Sequence, residues 1–328
     1  MTSTREVLAA AAAELRAAGV PTPEVDAELL LAHVTGRPRA LLRLSGSEVP
    51  DGSRAELDEL IAARVARIPL QHLTGRAPFR HLEVRVGPGV FIPRPETELM
   101  VDQVIAFASG VGSGSLPAGS GGAGGQLRVV DLCTGSGALA LSIAIEIPGS
   151  RVLAVELSDD AVRWARGNID ERAAELAAAG STVELIAADA TCVADPDGPL
   201  AGHRGLVDVV VTNPPYVPRG AVPREPEVRD HDPDLALYGG ADGLEVIRPL
   251  ARQAALLLRP GGLLVIEHAD LQGEDAGPSG VPSVLRAQAD GTATEGAATL
   301  WQDVVDHVDL AGRPRHTSAI RRHGQVQP

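Results

Sequence analysis

The stretch "LRVVDLCTGSGALALSIAIEIPGSRVLAVEL", Leu127 to Leu157, decides the fold class of this chain. A short β-favouring run ends in an acid and a glycine turn, an apolar helical run follows, and a second β-favouring run ends in another acid. The same alternation continues through "TVELIAAD", "VDVVVTN" and "GGLLVIEH", with helical runs between most of these strands. Short strands separated by helices predict an α/β domain with a mainly parallel sheet.

The residues before this domain predict a small helical bundle. Ser3 and Glu6 have the spacing of a capping box, and Ser53 and Glu56 repeat it before a second apolar helical pattern. Helix stops of glycine and proline separate these segments. The mixed charges of this part are close to balanced, and we expect it to be one helical domain.

A β-hairpin is predicted between the two domains. The segment 82–86 alternates apolar and charged residues, 87–89 is a Gly-Pro-Gly turn, and 90–92 returns as a strand. A Gly/Ser-rich segment further on has the composition of a flexible surface insertion. The predicted organisation is a helical domain over 1–75, a hairpin linker over 76–93, and the α/β domain over 94–328 with the insertion at 110–126.

Composition limits the classes of function. The chain has 328 residues, 44% of them hydrophobic, and a net charge of −14. This charge argues against a broad phosphate-binding surface, so we expect no direct nucleic-acid binding. The two cysteines, Cys133 and Cys192, have no metal-like spacing, so we predict no metal site and no disulfide framework. The Ala-rich N-terminus lacks the pattern of a signal peptide or membrane span, and we expect a cytoplasmic monomer.

Polar residues collect at one edge of the predicted sheet. Asp131, Gly135, Glu156, Asp189 and Asn213 all follow or end predicted strands. In parallel α/β sheets, ligands bind beyond the carboxyl ends of the strands. The glycine turn lacks both the third glycine of the dinucleotide fingerprint and the Gly-Lys-Ser/Thr of a phosphate loop, while an acid at the tip of the second strand suits a ribose diol.

The stretch "VDVVVTNPPYVP", Val207 to Pro218, adds a specific signal at this edge. Asn-Pro is also a common start of a turn, so the motif taken alone leaves an ordinary strand end open. The order of glycine turn, acid, Ala-Asp and Asn-Pro-Pro-Tyr, however, resembles the class I S-adenosylmethionine-dependent methyltransferases. In that superfamily, Asn-Pro-Pro-Tyr belongs to enzymes that methylate planar amino or amide nitrogens.

Three further segments narrow the resemblance. They are "RIPLQHLTGRAPFRHLEVRVGPGVFIPRPETELM" (Arg67 to Met100), "EPEVRDHDPDLALYGGADGL" (Glu225 to Leu244) and "DLAGRPR" (Asp309 to Arg315). Together they resemble the peptide chain release factor glutamine methyltransferases, the HemK/PrmC family, over nearly the whole chain. The run "IPRPETE" is the most discriminating, because related enzymes that methylate a ribosomal-protein glutamine share Asn-Pro-Pro-Tyr but generally differ there.

The resemblance implies a Rossmann-like class I fold, S-adenosylmethionine as cofactor with S-adenosylhomocysteine as product, and release factors as partners. The substrate would be the glutamine of the Gly-Gly-Gln motif in bacterial class I release factors, methylated in translation termination. The implied cofactor-binding residues are Cys133, Thr134, Gly135, Ser136, Gly137, Glu156, Asp189, Ala190 and Asn213. The implied substrate-binding residues are Asn213, Pro214, Pro215 and Tyr216, of which Asn213, Pro214 and Tyr216 would be catalytic. Thr97 would close over the cofactor.

At two of these positions the chain departs from the family pattern. Glu156 stands where relatives often carry Asp, and the longer acid can still accept both ribose hydroxyls. Ala190 stands where relatives can carry an aromatic residue, so stacking on the adenine is lost there. Of the other residues, we expect Cys133 to pack at a strand end and the loop at Tyr238 to lie near the substrate. We expect His268 at the surface and the acidic run Glu225 to Asp234 to be a solvated loop.

Three other functions remain open at the level of sequence. The same site chemistry suits an amino group of a nucleic-acid base, which must be flipped into the pocket. A ribosomal-protein glutamine is the second alternative substrate. A non-catalytic cofactor-binding protein is a further possibility, which the intact set of Gly135, Glu156 and Asn213 disfavours.

Overall fold

The computed structural model describes residues 3–44, 49–110, 126–289 and 299–323. The predicted Gly/Ser insertion, apart from its two end residues, lies outside the described residues. The chain divides into two compact units. The first contains Met1–Ala77, Val86–Pro88 and Val222–Asp232, and the second contains Pro78–Arg85, Gly89–Ala221 and Pro233–Pro328. The assignment of domains to 1–75, 76–93 and 94–328 stays a prediction.

The described residues form α-helices and strands in the following order. The helices are α1 Thr4–Ala17, α2 Pro23–Thr35, α3 Arg39–Leu44, α4 Asp51–Val65, α5 Leu70–Thr74, α6 Glu98–Ala108, α7 Ala138–Glu146, α8 Asp159–Glu171, α9 Ala173–Ala179, α10 Pro226–His231, α11 Asp234–Leu237, α12 Ile247–Leu257 and α13 Val281–Ala287. The strands are β1 Arg76–Phe79, β2 Leu82–Arg85, β3 Arg128–Leu132, β4 Arg151–Glu156, β5 Thr182–Ala187, β6 Val207–Thr212, β7 Leu258–Glu267, β8 Trp301–Val308 and β9 Pro314–Arg321. No helix in these described ranges is long and apolar enough to cross a bilayer.

The first unit is a bundle built from α1 to α5 together with α10. The apolar positions of α1, α2 and α4 meet in one core that includes Leu15, Leu30 and Leu57. The capping box of Ser3 and Glu6 is present at the start of α1, as its sequence predicts. The second predicted capping box is wrong, because α4 begins at Asp51 after an N-cap proline and already includes Ser53.

The hairpin has a different register from the one predicted. Its two-stranded sheet pairs β1 with β2, and the chain turns at Arg80, which has a positive φ of 52°. Ala77 and Phe79 are buried on alternate positions of β1, and the partner strand of β2 therefore precedes it; Val90 and Ile92 are buried as well but belong to no strand. The strand predicted at 90–92 is therefore wrong.

The second unit contains a seven-stranded sheet in the order β5-β4-β3-β6-β7-β9-β8. The pairs from β5 to β7 are parallel, and β9 is antiparallel to both β7 and β8. The mainly parallel α/β fold is thus confirmed. From β3 the chain runs outward to β4 and β5 and then returns to β6 on the other side of β3. Such a reversal of strand order is where ligands bind in open α/β sheets.

Candidate active site

The turn after β3 is tied to the tip of β4. The Thr134 hydroxyl donates a hydrogen bond to Oδ2 of Asp131 at 2.6 Å. Burial raises the pKa of Asp131 to about 7, although this hydrogen bond acts to lower it. The Gly135 N–H donates to Oε2 of Glu156 at 2.8 Å. The turn needs left-handed backbone at Cys133, Gly135 and Gly137, with φ values of 62°, 58° and 83°. Glycine adopts these angles without strain, and only the cysteine departs from that preference.

Glu156 is held rigidly at the end of β4. Its Oε1 accepts the N–H groups of Leu157 and Ser158, each at 2.9 Å, so the carboxylate is fixed at the start of α8. Carboxylate oxygens have further lone pairs, and these remain for a ligand hydroxyl. On the same side, no atom of the described residues comes within 4 Å of the position that a Cβ on Gly135 would take. The turn therefore faces open space beside an acid.

Cys133 lies at the strand end and packs against the apolar core of the second unit. Burial raises the pKa of its thiol, and the nearby Glu156 and Asp131 act in the same direction. A thiol that stays protonated is a poor nucleophile. The structure agrees with a packing role for this side chain.

The end of β5 is joined to the site less directly. Oδ1 of Asp189 accepts both the N–H and the hydroxyl of Thr191, at 2.8 and 2.6 Å, and thereby shapes the turn after the strand. Ala190 is buried and belongs to the apolar core. Among the described residues, neither side chain has a hydrogen bond to the Gly135 turn or to Glu156.

Asn213 follows β6, a strand buried along its whole length. Its Nδ2 donates to the Thr97 hydroxyl oxygen at 3.2 Å, which turns Oδ1 away from Thr97. Within the described ranges, no group donates a hydrogen bond to Oδ1 of Asn213 or to the carbonyl oxygen of Pro214. Two adjacent acceptors are therefore available at this edge of the sheet.

Tyr216 is fixed from two sides. Its hydroxyl donates to Oε1 of Glu267 at 3.3 Å, and its carbonyl accepts from Nε2 of Gln272 at 3.2 Å. The loop that follows Tyr238 packs against this backbone so closely that a side chain on Gly243 would collide with the Tyr216 carbonyl. Burial raises the pKa of the phenol, so it is a hydrogen-bond donor and not a phenolate.

Glu267 is the site residue that sequence reasoning missed. It ends β7 and is 1% exposed, and burial raises its pKa to about 7, while hydrogen bonding by Thr97, the charge of Arg315 and the Tyr216 hydroxyl oppose the rise. A signal was available, because the acid directly follows the apolar run 263–266 and lies at the same edge as the other acids.

His268, which we expected at the surface, is fully buried, so that expectation was wrong. The residue follows directly on β7, a strand that is paired on both sides by β6 and β9. One ring nitrogen lies 2.9 Å from the Ala269 carbonyl oxygen and the other lies 2.9 Å from the Thr317 hydroxyl oxygen. Both nitrogens have protein partners, which indicates a structural histidine.

Comparisons with known proteins agree with this arrangement. The family model of the PrmC N-terminal domain matches residues 6–75, and that of the methyltransferase small domain matches residues 123–225. A release factor glutamine methyltransferase from Streptomyces coelicolor is 46% identical over 95% of this chain and 96% of its own length. The enzymes of that name from Mycolicibacterium smegmatis and Bifidobacterium longum are 44% and 42% identical, over 98% and 96% of this chain and 99% and 98% of their own lengths. The chain therefore belongs to the release factor glutamine methyltransferase family.

Proposed function

We propose that this protein methylates the side-chain amide nitrogen of the glutamine in the Gly-Gly-Gln motif of bacterial class I release factors, with S-adenosylmethionine as methyl donor. The observation that carries the proposal is the pair of available acceptors, Oδ1 of Asn213 and the carbonyl oxygen of Pro214. A primary amide presents two N–H donors in one plane, and two adjacent acceptors match them. The names of the relatives support glutamine of a release factor as the bearer of that amide.

The residues at the β3 and β4 ends fit the cofactor. The open space over Gly135 leaves room for a ligand against the backbone, and Glu156 is placed rigidly enough to accept two ribose hydroxyls. We assign the turn from Cys133 to Gly137 and Glu156 to cofactor binding, with Asp189, Ala190 and Asn213 as further contacts. When bound, S-adenosylmethionine supplies an electrophilic methyl group on a sulfonium.

The protein's own part in the reaction is orientation. An amide nitrogen is a weak nucleophile because its lone pair is delocalised into the carbonyl group. Asn213 and Pro214 hold both N–H bonds, which aims the nitrogen and stabilises the positive charge that grows on it. Pro215 stiffens the backbone between the acceptor and Tyr216, whose ring forms an apolar wall for the planar group. The proton leaves during or after the transfer.

The helical residues 1–75 are proposed to dock the release factor, while the hairpin at 76–93 links them to the catalytic residues. Their match to the PrmC N-terminal domain supports a function specific to this family, because that model is distinct from the methyltransferase model. Calorimetry of the purified protein with a purified release factor can measure this binding.

The deciding experiment uses labelled S-adenosylmethionine and a purified class I release factor, with the label mapped by mass spectrometry. We expect label on the Gly-Gly-Gln glutamine and none when that glutamine is replaced by glutamate. Asn213→Ala should lower the rate by about 10²- to 10³-fold, as the loss of one fixed polar group does in other sites. Label on a nucleic acid or on a ribosomal protein, offered in parallel, would contradict the proposal.

A further inference from the structure

Asn168, on α8, joins two backbone segments that are distant in sequence. Its Oδ1 accepts the N–H of Arg85, the last residue of β2, at 2.7 Å, and its Nδ2 donates to the Arg85 carbonyl oxygen at 3.0 Å. The same Nδ2 donates to the carbonyl oxygen of Ser136 at 2.9 Å. Ser136 lies in the turn from Cys133 to Gly137, here called the cofactor turn. One amide, on a residue only 2% exposed, therefore connects the hairpin to the cofactor turn.

The hydrogen count of this amide fixes its orientation. A primary amide has two N–H hydrogens and one carbonyl oxygen. Here one hydrogen goes to each of the two backbone carbonyls, and the oxygen takes the Arg85 N–H. With the amide reversed, its oxygen would face two carbonyl oxygens and its NH₂ group would face an N–H. Two of the three hydrogen bonds go to Arg85, so the backbone of β2 holds the amide and directs its remaining hydrogen at Ser136.

The Ser136 carbonyl depends on this donor. Ser136 is 3% exposed and lies between Gly135 and Gly137, whose φ values of 58° and 83° are left-handed. Within the described ranges, no backbone N–H donates to its carbonyl oxygen. A buried carbonyl without a partner costs about as much free energy as a lost hydrogen bond. The hydrogen bond from Asn168 therefore stabilises this conformation of the cofactor turn.

The helix that carries Asn168 contacts both segments with one face. Ala165, three residues earlier, is fully buried, and a Cβ added to Gly137 would lie 3.7 Å from the Ala165 Cβ. Four residues after Asn168, Nη2 of Arg172 donates to the Glu83 carbonyl oxygen of β2 at 2.7 Å. Residues three and four apart share one face of a helix. Of these side chains, that of Asn168 is the one that hydrogen-bonds to both the turn and the strand.

We propose that Asn168 is a positioning residue for the cofactor: supported by the backbone of β2, it holds the Ser136 carbonyl and keeps the cofactor turn in the conformation that binds S-adenosylmethionine. This role rests on the proposed function, because it takes the cofactor turn as part of the cofactor site. It also gives the hairpin a part in cofactor binding, in addition to its place as the link to the helical residues.

The first test measures the affinity of the purified protein for S-adenosylhomocysteine by titration calorimetry at pH 8. Asn168→Ala should raise Kd about 5- to 50-fold, because binding must then fix a turn whose buried carbonyl has lost its donor. Asn168→Asp keeps the size of the side chain and an acceptor for the Arg85 N–H but supplies no donor, so its Kd should rise at least as much. A wild-type Kd in the aspartate variant would overturn the proposal.

Arg172→Ala is the matched control for the affinity measurement. It removes another hydrogen bond from the same helix face to the backbone of β2 but none to the cofactor turn. Its Kd should stay at the wild-type value. Equal losses of affinity in Arg172→Ala and Asn168→Ala would assign the effect to the packing of the hairpin as a whole and overturn the role of Asn168.

Kinetics with a release factor give a readout that a general loss of packing would not produce. Asn168→Ala should raise KM for S-adenosylmethionine and leave kcat at saturating cofactor near the wild-type value, because the acceptors at Asn213 and Pro214 are unchanged. A lower kcat with an unchanged KM would contradict a role in positioning the cofactor.

A further test uses the wild type alone and so does not depend on a variant that folds. Binding of S-adenosylhomocysteine should order the cofactor turn and, through Asn168, slow hydrogen exchange of the Arg85 amide, which donates to Asn168. The amides of β8, at one edge of the seven-stranded sheet, report any general stabilisation by the ligand. We expect a larger gain in protection at Arg85 than in β8. Equal gains would overturn the link between the turn and the hairpin.

The outcomes separate the two proposals. A wild type that binds neither S-adenosylmethionine nor S-adenosylhomocysteine contradicts the proposed function and this role with it. A wild type that binds both, together with an unchanged Kd in the Asn168 variants, overturns the role of Asn168 alone. Neither result depends on the identity of the methyl acceptor.

Discussion

Two glutamates in different regions of the molecule respond to burial in opposite ways. Glu227, in the helical unit, accepts two hydrogen bonds from Arg67 and one from Arg64, at 2.7 to 2.8 Å. Burial acts to raise its pKa, but these arginines outweigh burial and lower it to about 2. Glu267, at the sheet edge, accepts a hydrogen bond from the Tyr216 hydroxyl at 3.3 Å and none from an arginine of the described ranges, and burial raises its pKa to about 7.

The difference shows what separates a structural acid from a site acid. Glu227 accepts hydrogen bonds from cationic donors, so it stays ionised well below neutral pH. Glu267 is left with weak donors in a buried place, so it can change its protonation state near neutral pH. Poorly compensated acids of this kind collect at functional sites, while well-paired acids are typical of structural networks.

The largest expected effect comes from breaking the arginine network. Arg64 has a side chain 6% exposed and joins Asp26 at 2.8 Å to Glu227 at 2.7 Å. Arg64→Ala leaves the buried Asp26 and the partly buried Glu227 without this partner, and we expect it to destabilise the helical unit by about 3 to 5 kcal/mol. Hydrogen exchange of the α1, α2 and α4 amides measures this loss locally.

The same helix supplies the control for that prediction. Arg54→Ala removes an exposed i,i+4 pair with Asp58, in which the side chains are 36% and 58% exposed, and should cost at most about 0.5 kcal/mol. If the two alanine variants lost the same protection, the buried network would contribute no more than a surface pair. Glu227 could then no longer be regarded as part of a stabilising ion-pair network.

Glu227→Gln should destabilise the helical unit by about 1 to 3 kcal/mol, because an amide NH₂ then faces arginine donors. The folded pKa lies below the unfolded value, so the contribution of the carboxylate is present above about pH 4.5 and is lost as the pH falls toward 2. The deficit of the variant should therefore be equal at pH 5 and at pH 8. Chemical denaturation at both pH values measures it.

A neighbouring acid serves as the control for Glu227→Gln. Glu225→Gln removes a carboxylate that has no arginine partner among the described residues, and stability should stay at the wild-type value. A loss as large as that of Glu227→Gln would show that the acidic run acts as a whole through its net charge and not through one ion-paired residue.

The identical substitution at the sheet edge should act with the opposite sign. The folded pKa of Glu267 lies above the unfolded value, so stability is greatest below about pH 4.5 and falls as the pH rises through about 7. Glu267→Gln removes this dependence and should raise stability at pH 8 by about 1 to 2 kcal/mol relative to pH 5. Denaturation curves at the two pH values decide it, and a gain of equal size at both would contradict the titration of Glu267.

The fold could be predicted from sequence because local patterns agree with the global arrangement. Helices separate most of the strands from β3 to β7, and the polar residues at the ends of these strands meet at one edge as the parallel sheet requires. The positions of Gly135, Glu156 and Asn213 follow from that rule alone. Their roles remain a proposal, because the rule gives location and not function.

The contacts that sequence could not predict are those between distant segments. The acidic run from Glu225 was expected to be a solvated loop, which was wrong, because its helix α10 packs in the bundle and Glu227 meets arginines some 160 residues away in the chain. Thr97 meets Asn213 across 116 residues in the same way. No local sequence pattern predicts such a contact, because each of the two segments taken alone has the composition of a surface turn.

The smallest expected effect concerns the two exposed serines that the sequence predicts as helix caps. The two Ser-x-x-Glu patterns look identical in sequence, but only Ser3 caps a helix, with its hydroxyl accepting from the Glu6 N–H and its N–H donating to the Glu6 carboxylate. Ser3→Ala should destabilise α1 by about 1 kcal/mol. Ser53→Ala should be neutral or slightly stabilising, because Ser53 lies inside α4 and alanine is the better helix former. Equal losses of stability in the two variants would contradict the assignment of Ser3 as a helix cap and of Ser53 as an interior position.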